Sequence, residues 1–250
     1  MEALTWWPLF LLCAWVAEVI GTMAGFGAAT ILTPVAILFM DVKTAIAVVA
    51  CFHLFGNASR LTFFWRHVDR NTWLQFGLTG VLCSLVGAGL TASLPSAAVK
   101  LLFGIFLLSY VGLSCLLPSG VRLPATPWTL IGGGAGSGFV AGLIGTGGAI
   151  RSACLLAFGL PRDAYLGTSA AIALVVDATR LPVYLAEQFI PWRMLPAVAS
   201  LILVAFAGAW VGQRLIRRAS PAIFRGVILV MLTLIGLKLC VDGWRGLMGV

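Results

Sequence analysis

A short polar sequence occurs twice in this chain, each time deep inside an apolar run. Asn57-Ala-Ser-Arg60-Leu61 returns as Asp177-Ala-Thr-Arg180-Leu181, 120 residues later (177 − 57 = 120). The glycine cluster Gly25-Phe-Gly27 returns at the same offset as Gly145-Thr-Gly147-Gly148 (145 − 25 = 120). Two copies of one unit must therefore fold within one chain, and each must accommodate a guanidinium among apolar side chains. A charge at the centre of a bilayer costs roughly 2.5–3.5 kcal/mol on insertion scales. A chain that carries such a cost twice is expected to use it.

Composition places those arginines in a membrane. Of 250 residues, 61% are hydrophobic and only 10% charged, against about 25% charged in soluble domains. Eight apolar segments are expected, at 4–40, 42–64, 72–93, 97–117, 128–160, 164–186, 191–213 and 221–241. Six have about the length that crosses a hydrocarbon core of about 30 Å. The other two, 4–40 and 128–160, are too long for one crossing and contain the glycine clusters. A proline-rich loop at 118–127 divides an N-terminal repeat, 1–120, from a C-terminal repeat, 121–250. The expected fold is an all-α polytopic membrane protein of two homologous halves. Each half is a broken or re-entrant glycine-containing segment followed by three transmembrane helices.

The cations arbitrate how the long segments run. If both turn back, one face carries Arg66, Arg70, Arg122, Arg162, Arg214, Arg217, Arg218 and Arg225, and the other Lys43, Lys100, Arg193 and Arg245. If both pass through, the division is seven against five. Eight against four fits the cytoplasmic excess of Lys and Arg better. Hairpins, both termini outside and inverted repeats are therefore the expectation.

The net charge of +8 is carried mainly in short loops, with no basic tail or basic-aromatic ribbon, so nucleic acid is not an expected partner. Six scattered cysteines lack a C-x-x-C pair, and no H-E-x-x-H or comparable spacing points to a metal. No cofactor is implied. An enzyme would need a nucleophile–base pair, and none stands out.

The candidate site lies where the repeats concentrate polarity. Glycines at 25, 27, 145, 147 and 148 permit a helix break, and the freed N–H groups at the start of a half-helix attract anions; close helix packing is the alternative. Arg60, Arg151 and Arg180 suit oxyanions because a guanidinium fork matches their geometry. Snorkelling to the headgroups would equally explain Arg60 and Arg180, and an Asp177–Arg180 ion pair would explain the latter. On a helix His53, Asn57 and Arg60 share a face, as do Ser169, Asp177 and Arg180. Thr168 and Ser169 offer hydroxyls. Glu18, His53 and Asp177 are candidates to carry a coupling proton. Tyr184 and Trp192 look like interface aromatics.

Taken together, the two glycine clusters, Pro34, Gly167-Thr168-Ser169 and the paired Asn57/Arg60 and Asp177/Arg180 resemble the sulfite exporter TauE/SafE-like family across roughly residues 10–240. The resemblance implies a multi-pass exporter of sulfite, sulfoacetate or a related anion in a prokaryotic plasma membrane. This sequence departs from the family's pattern at Phe26, Ala28, Cys154 and 43–46. The expected function is secondary transport of a small anion by alternating access. An anion channel using the same arginines is the alternative, and a homo-oligomer is left open.

Overall fold

The computed structural model describes residues 5–24, 27–116, 123–215 and 221–249. The expected domain boundary at 120/121 falls outside these residues, as does Gly25. The chain is helical: α1 (Trp7–Ala24), α2 (Ala29–Ala36), α3 (Val42–Phe64), α4 (Arg70–Ser93), α5 (Ser96–Leu116), α6 (Pro127–Ile144), α7 (Gly148–Ala157), α8 (Arg162–Ala186), α9 (Leu195–Leu215) and α10 (Pro221–Met248). Among the described residues, α3, α4, α5, α8 and α9 are long and apolar enough to cross a membrane. The sixth expected crossing is α10, which runs seven residues past the expected end at 241.

Local chemistry sets the ends. Asp41 accepts from Lys43 N at 3.0 Å and starts α3. Asp69 accepts from Thr72 N at 2.8 Å and starts α4. Thr126, followed by Pro127 in the first turn, starts α6. These are ordinary N-caps.

Both over-long segments break at their glycine clusters. Gly27 sits at φ +89° and Gly145 at φ +82°, a left-handed conformation that costs a side-chain-bearing residue about 1–2 kcal/mol. Past each break the chain doubles back. In the first half the Gly21 carbonyl accepts from Gly27 N at 3.2 Å, and Phe39, beyond α2, packs on Trp6 and Phe10 at the start of α1. In the second half Ser137 Oγ donates to the Gly147 carbonyl at 2.8 Å, and Gly133 faces Cys154. Partner numbers fall along one arm as they rise along the other, so α1–α2 and α6–α7 are antiparallel hairpins.

The hairpins are held by the opposite half. α6 lies parallel to α4, with Gly134, Gly138 and Gly142 one turn apart against the backbone of Phe76, Gly80 and Ser84, so close that no side chain fits. α1 lies parallel to α9, with Gly208 against Glu18 and Gly212 against Thr22. Two further pairs are antiparallel. α5 meets α10, with Gly104 against Cys240 and Gly243 against Leu101. α3 meets α8, with Phe64 against Gly167 and His53 against Asp177.

Leucines of α4, α5, α9 and α10 face outward, as lipid-facing side chains do. Trp192 is 75% exposed at a helix end. Tyr184 is not an interface aromatic: it is fully buried, its hydroxyl donates to the Gly142 carbonyl, and its ring stacks on Phe189. A phenol with an acceptor inside the protein has no need of the headgroup layer.

Candidate functional site

The site is built where α3 and α8 cross. Their contacts have a fixed register (64 + 167 = 231; 53 + 177 = 230), and the repeat offset is 120. A residue therefore faces its own copy near positions 55 and 175, since 55 + 175 = 230. The polar residues of both helices gather around this point. Those near it are buried, His53, Asn57, Arg60, Thr168, Ser169, Asp177 and Arg180, and so are Glu18 of α1 and Arg151 of α7.

Asp177 sits at the crossing. Its Oδ1 accepts from Arg180 Nε at 3.0 Å and Nη2 at 2.7 Å. Its Oδ2 accepts from His53 Nδ1 at 2.8 Å and Asn57 Nδ2 at 3.2 Å. A carboxylate only accepts, so the His53 proton is on Nδ1. The 3.1 Å approach of Asn57 Nδ2 to that same nitrogen is then two donors converging on one carboxylate, not a bond between them.

Arg180 is 1% exposed and does not snorkel. Besides its fork on Asp177, Nη1 donates to the Ala141 carbonyl and Nη2 approaches the Gly145 carbonyl at 3.4 Å. Ala141, Gly142 and Gly145 are the last carbonyls of broken α6, a negative helix end. The ion pair foreseen as an alternative for Arg180 is present, and it caps the break.

Arg60 is held differently. Its Nε donates to the Gly56 carbonyl at 3.3 Å, one turn back on its own helix. Its Nη2 lies 3.1 Å from Glu18 Oε1 on α1, close enough for an ion pair. The pair is misaligned, and neither Nη2 nor Glu18 Oε2 makes a hydrogen bond. Thr22 Oγ1 donates to Glu18 Oε1 at 3.2 Å. This carboxylate sits in a slot formed by two glycines. A Cβ at Gly56 would fall 2.8 Å from both its oxygens, and one at Gly208 of α9 would fall 2.8 Å from its Cβ.

Arg151 is the fourth residue of α7, on the first turn after the second break. Its Nε donates to Ser169 Oγ at 3.0 Å. Asp177, Arg60 and Arg180 all lie within electrostatic reach of it. Gly147 and Gly148 form the buried entry to α7. Thr168 Oγ1 accepts from Asp69 N at 2.9 Å, a bond that uses a lone pair of the hydroxyl and not its proton. Gly27 packs against His53, where a Cβ would fall 2.4 Å from Nε2.

Three contacts were not foreseen from the sequence. Glu18 was singled out without its partner Arg60. Thr30 and Thr146 meet at 3.0 Å between their hydroxyls, joining the two hairpins. Tyr165 donates to Ser152 at 2.9 Å beside the arginines. The Glu18 partnership had a signal: Asn57 stands where the other copy has Asp177, so the counter-charge of Arg60 has to come from another helix.

Two hairpins broken around a buried ionic centre, held among membrane-length helices, define a polytopic membrane protein with an intramembrane polar site. The chain belongs to the sulfite exporter TauE/SafE family, whose family model matches residues 10–239. No curated protein matches. Membership makes this a multi-pass membrane protein of a family of transporters for sulfite or related anions.

Proposed function

We propose that the chain is a secondary transporter that carries a small oxyanion, sulfite or a sulfonate such as sulfoacetate, by alternating access between two inverted repeats. The observation that carries the reading is a charge count. Among the described residues the buried charged groups are Arg60, Arg151, Arg180, Glu18 and Asp177. Three cations against two carboxylates leave one positive charge in excess at bilayer depth. A neutral His53 does not alter the count.

Arg151 is the first ligand in this reading, with Ser169 and the opening N–H groups of α7 at Gly147 and Gly148. Arg60 faces the same centre from α3 and completes the grip. Arg180 and Asp177 brace the second hairpin, and Asn57 and His53 hold Asp177 from the other half. Antiparallel α3/α8 and α5/α10 support the inverted relation of the repeats. In this reading the cation asymmetry orients the protein, with the cation-rich loops in the cytoplasm and both termini outside, and the family resemblance implies a prokaryotic plasma membrane. Burial of the centre on every side favours alternating access over an open pore. Export as the direction comes from the family.

The test is counterflow in proteoliposomes with sulfite and sulfoacetate. Saturable exchange by the wild type and its loss in Arg151→Ala, with the protein still inserted, is the expected result. Unimpaired exchange in Arg151→Ala refutes the site. Cysteine labelling of Arg162→Cys and Lys43→Cys checks the orientation, and reaction of both from the same side contradicts it.

A further inference from the structure

Among the described residues seven buried side-chain atoms lack a hydrogen-bond partner, and all lie before residue 120. Five surround α1, α2 and α3: Glu18 Oε2, Thr33 Oγ1, His53 Nε2, Asn57 Oδ1 and Arg60 Nη2. An orphaned buried polar atom costs about 1–3 kcal/mol, more when charged, so this cluster is poised for rearrangement. Its two charged members are the misaligned Arg60–Glu18 pair.

The charge count sets what that rearrangement does. The centre carries one excess positive charge, so one monoanion neutralises it. A dianion on the same ligands leaves it at −1 (3 − 2 − 2). The second charge needs Arg60, and Arg60 then leaves a carboxylate clamped between Gly56 and Gly208. That carboxylate has no other cation. Gly208 of α9 presents no titratable atom, and the one charged residue of α9, Arg214, stacks on its own Trp210. α2 has no ionisable residue, and α1 has no charged residue besides Glu18. On α3 the other titratable groups near the crossing are Cys51 and His53, both on the Asp177 side, and His53 is engaged with Asp177. An ionised carboxyl stranded without a partner at this depth neutralises by taking up a proton.

We propose that Glu18 is an internal counter-anion that yields Arg60 to doubly charged substrates and takes one proton as it does so. The balance closes: a dianion and a proton enter, Glu18 becomes a carboxylic acid, and the centre is neutral (3 − 2 − 2 + 1 = 0). Monoanions bind without the proton. The inference rests on the anion-site reading above.

The experiment measures binding by calorimetry to purified protein across the neutral pH range. The probes are sulfoacetate, a dianion, and methanesulfonate, a monoanion, neither of which titrates there. Sulfoacetate affinity is expected to fall about tenfold per unit rise in pH, the linkage of one proton, while methanesulfonate affinity stays flat. Glu18→Gln is expected to abolish the sulfoacetate slope and to tighten its binding at the alkaline end by about tenfold. Gly56→Ala, which crowds the carboxylate off Arg60 but leaves it titratable, is expected to tighten sulfoacetate at neutral pH. A flat wild-type sulfoacetate profile, a slope that survives in Glu18→Gln, or unaltered binding in Gly56→Ala overturns the proposal. Arg151→Ala separates the two readings. If it binds both probes as the wild type does, or if the wild type binds neither, the anion site itself is wrong. If it loses both while Glu18→Gln keeps the slope, only the role of Glu18 falls.

Discussion

Arg60 and Arg180 occupy the same place in two copies of one unit, and the protein treats them in opposite ways. Arg180 is locked: its fork grips Asp177 one turn away and its remaining N–H groups reach the carbonyl end of broken α6. Arg60 has one weak bond to its own helix and a skewed ion pair to a carboxylate on another. The cause is one substitution between the copies, Asn57 for Asp177. With a carboxylate at the i−3 position the arginine is satisfied within its helix. With an amide there it has to look outside, and the amide itself is drawn across the crossing to Asp177. Two equivalent positions thus hold one cation engaged on every side and one with a single skewed ion pair.

Arg180→Ala gives the largest expected effect. It strands Asp177 and the α6 carbonyls, and removing one member of a buried pair costs about 3–5 kcal/mol. A sharp fall in folded yield and melting temperature in detergent is expected, whereas Arg60→Ala strands only Glu18, a carboxyl that neutralises by taking up a proton, and should lower the melting temperature less while failing in transport. Equal destabilisation by the two substitutions would erase the contrast between the fully engaged and the loosely held cation.

Restoring the symmetry should be harmful. Asn57→Asp places a second carboxylate where Asn57 now meets Asp177 at 3.2 Å, turning a hydrogen bond into like-charge contact at a cost of roughly 2 kcal/mol or more. A variant as stable as the wild type would show that the amide is not what ties the halves together.

Gly27→Ala and Gly145→Ala probe the two breaks. Both lose about 1–2 kcal/mol to the left-handed backbone. Gly27→Ala should lose more, because the new methyl also collides with the His53 ring, whereas around Gly145 the nearest atoms are aliphatic carbons of Thr33 and Ile46 at 3.2–3.4 Å. The relative melting temperatures decide this. Tyr184→Phe removes one buried hydrogen bond to Gly142, worth about 1 kcal/mol, and tests how much the second hairpin owes to its capping groups. The smallest effect belongs to the exposed Lys238–Asp242 pair on α10. Lys238→Ala should shift stability by less than roughly 0.5 kcal/mol, as surface pairs do, and should leave transport unaltered.

The helices were legible because their signals are local. Length and apolarity of each run, capping residues and the two glycine clusters located nearly every element. The charge asymmetry of the loops pointed to the hairpins that the structure contains. The candidate residues were legible because an ionisable side chain in an apolar run stands out. Their roles were not. Nothing about Thr168 reveals that its hydroxyl accepts from the backbone N–H of Asp69. Tyr184 near a helix end reads as an interface residue until Gly142 is seen above it. Arg180 reads as an anion ligand or as a member of an ion pair, and only its distances to Asp177 and Ala141 show it to be engaged on every side.

The sequence by itself determined that this is a membrane protein with a motif repeated at an offset of 120, two over-long glycine-containing segments and arginines within its apolar runs. Those properties follow from period, composition and spacing, which a linear chain records. Tertiary structure alone decided which cation is paired and with what. Pairing depends on the approach of helices more than a hundred positions apart in the case of Asn57 and Asp177, and on α1 folding beside α3 in the case of Glu18 and Arg60. At bilayer depth, where water cannot complete a missing bond, that approach separates a charge held on every side from one held by a single skewed pair.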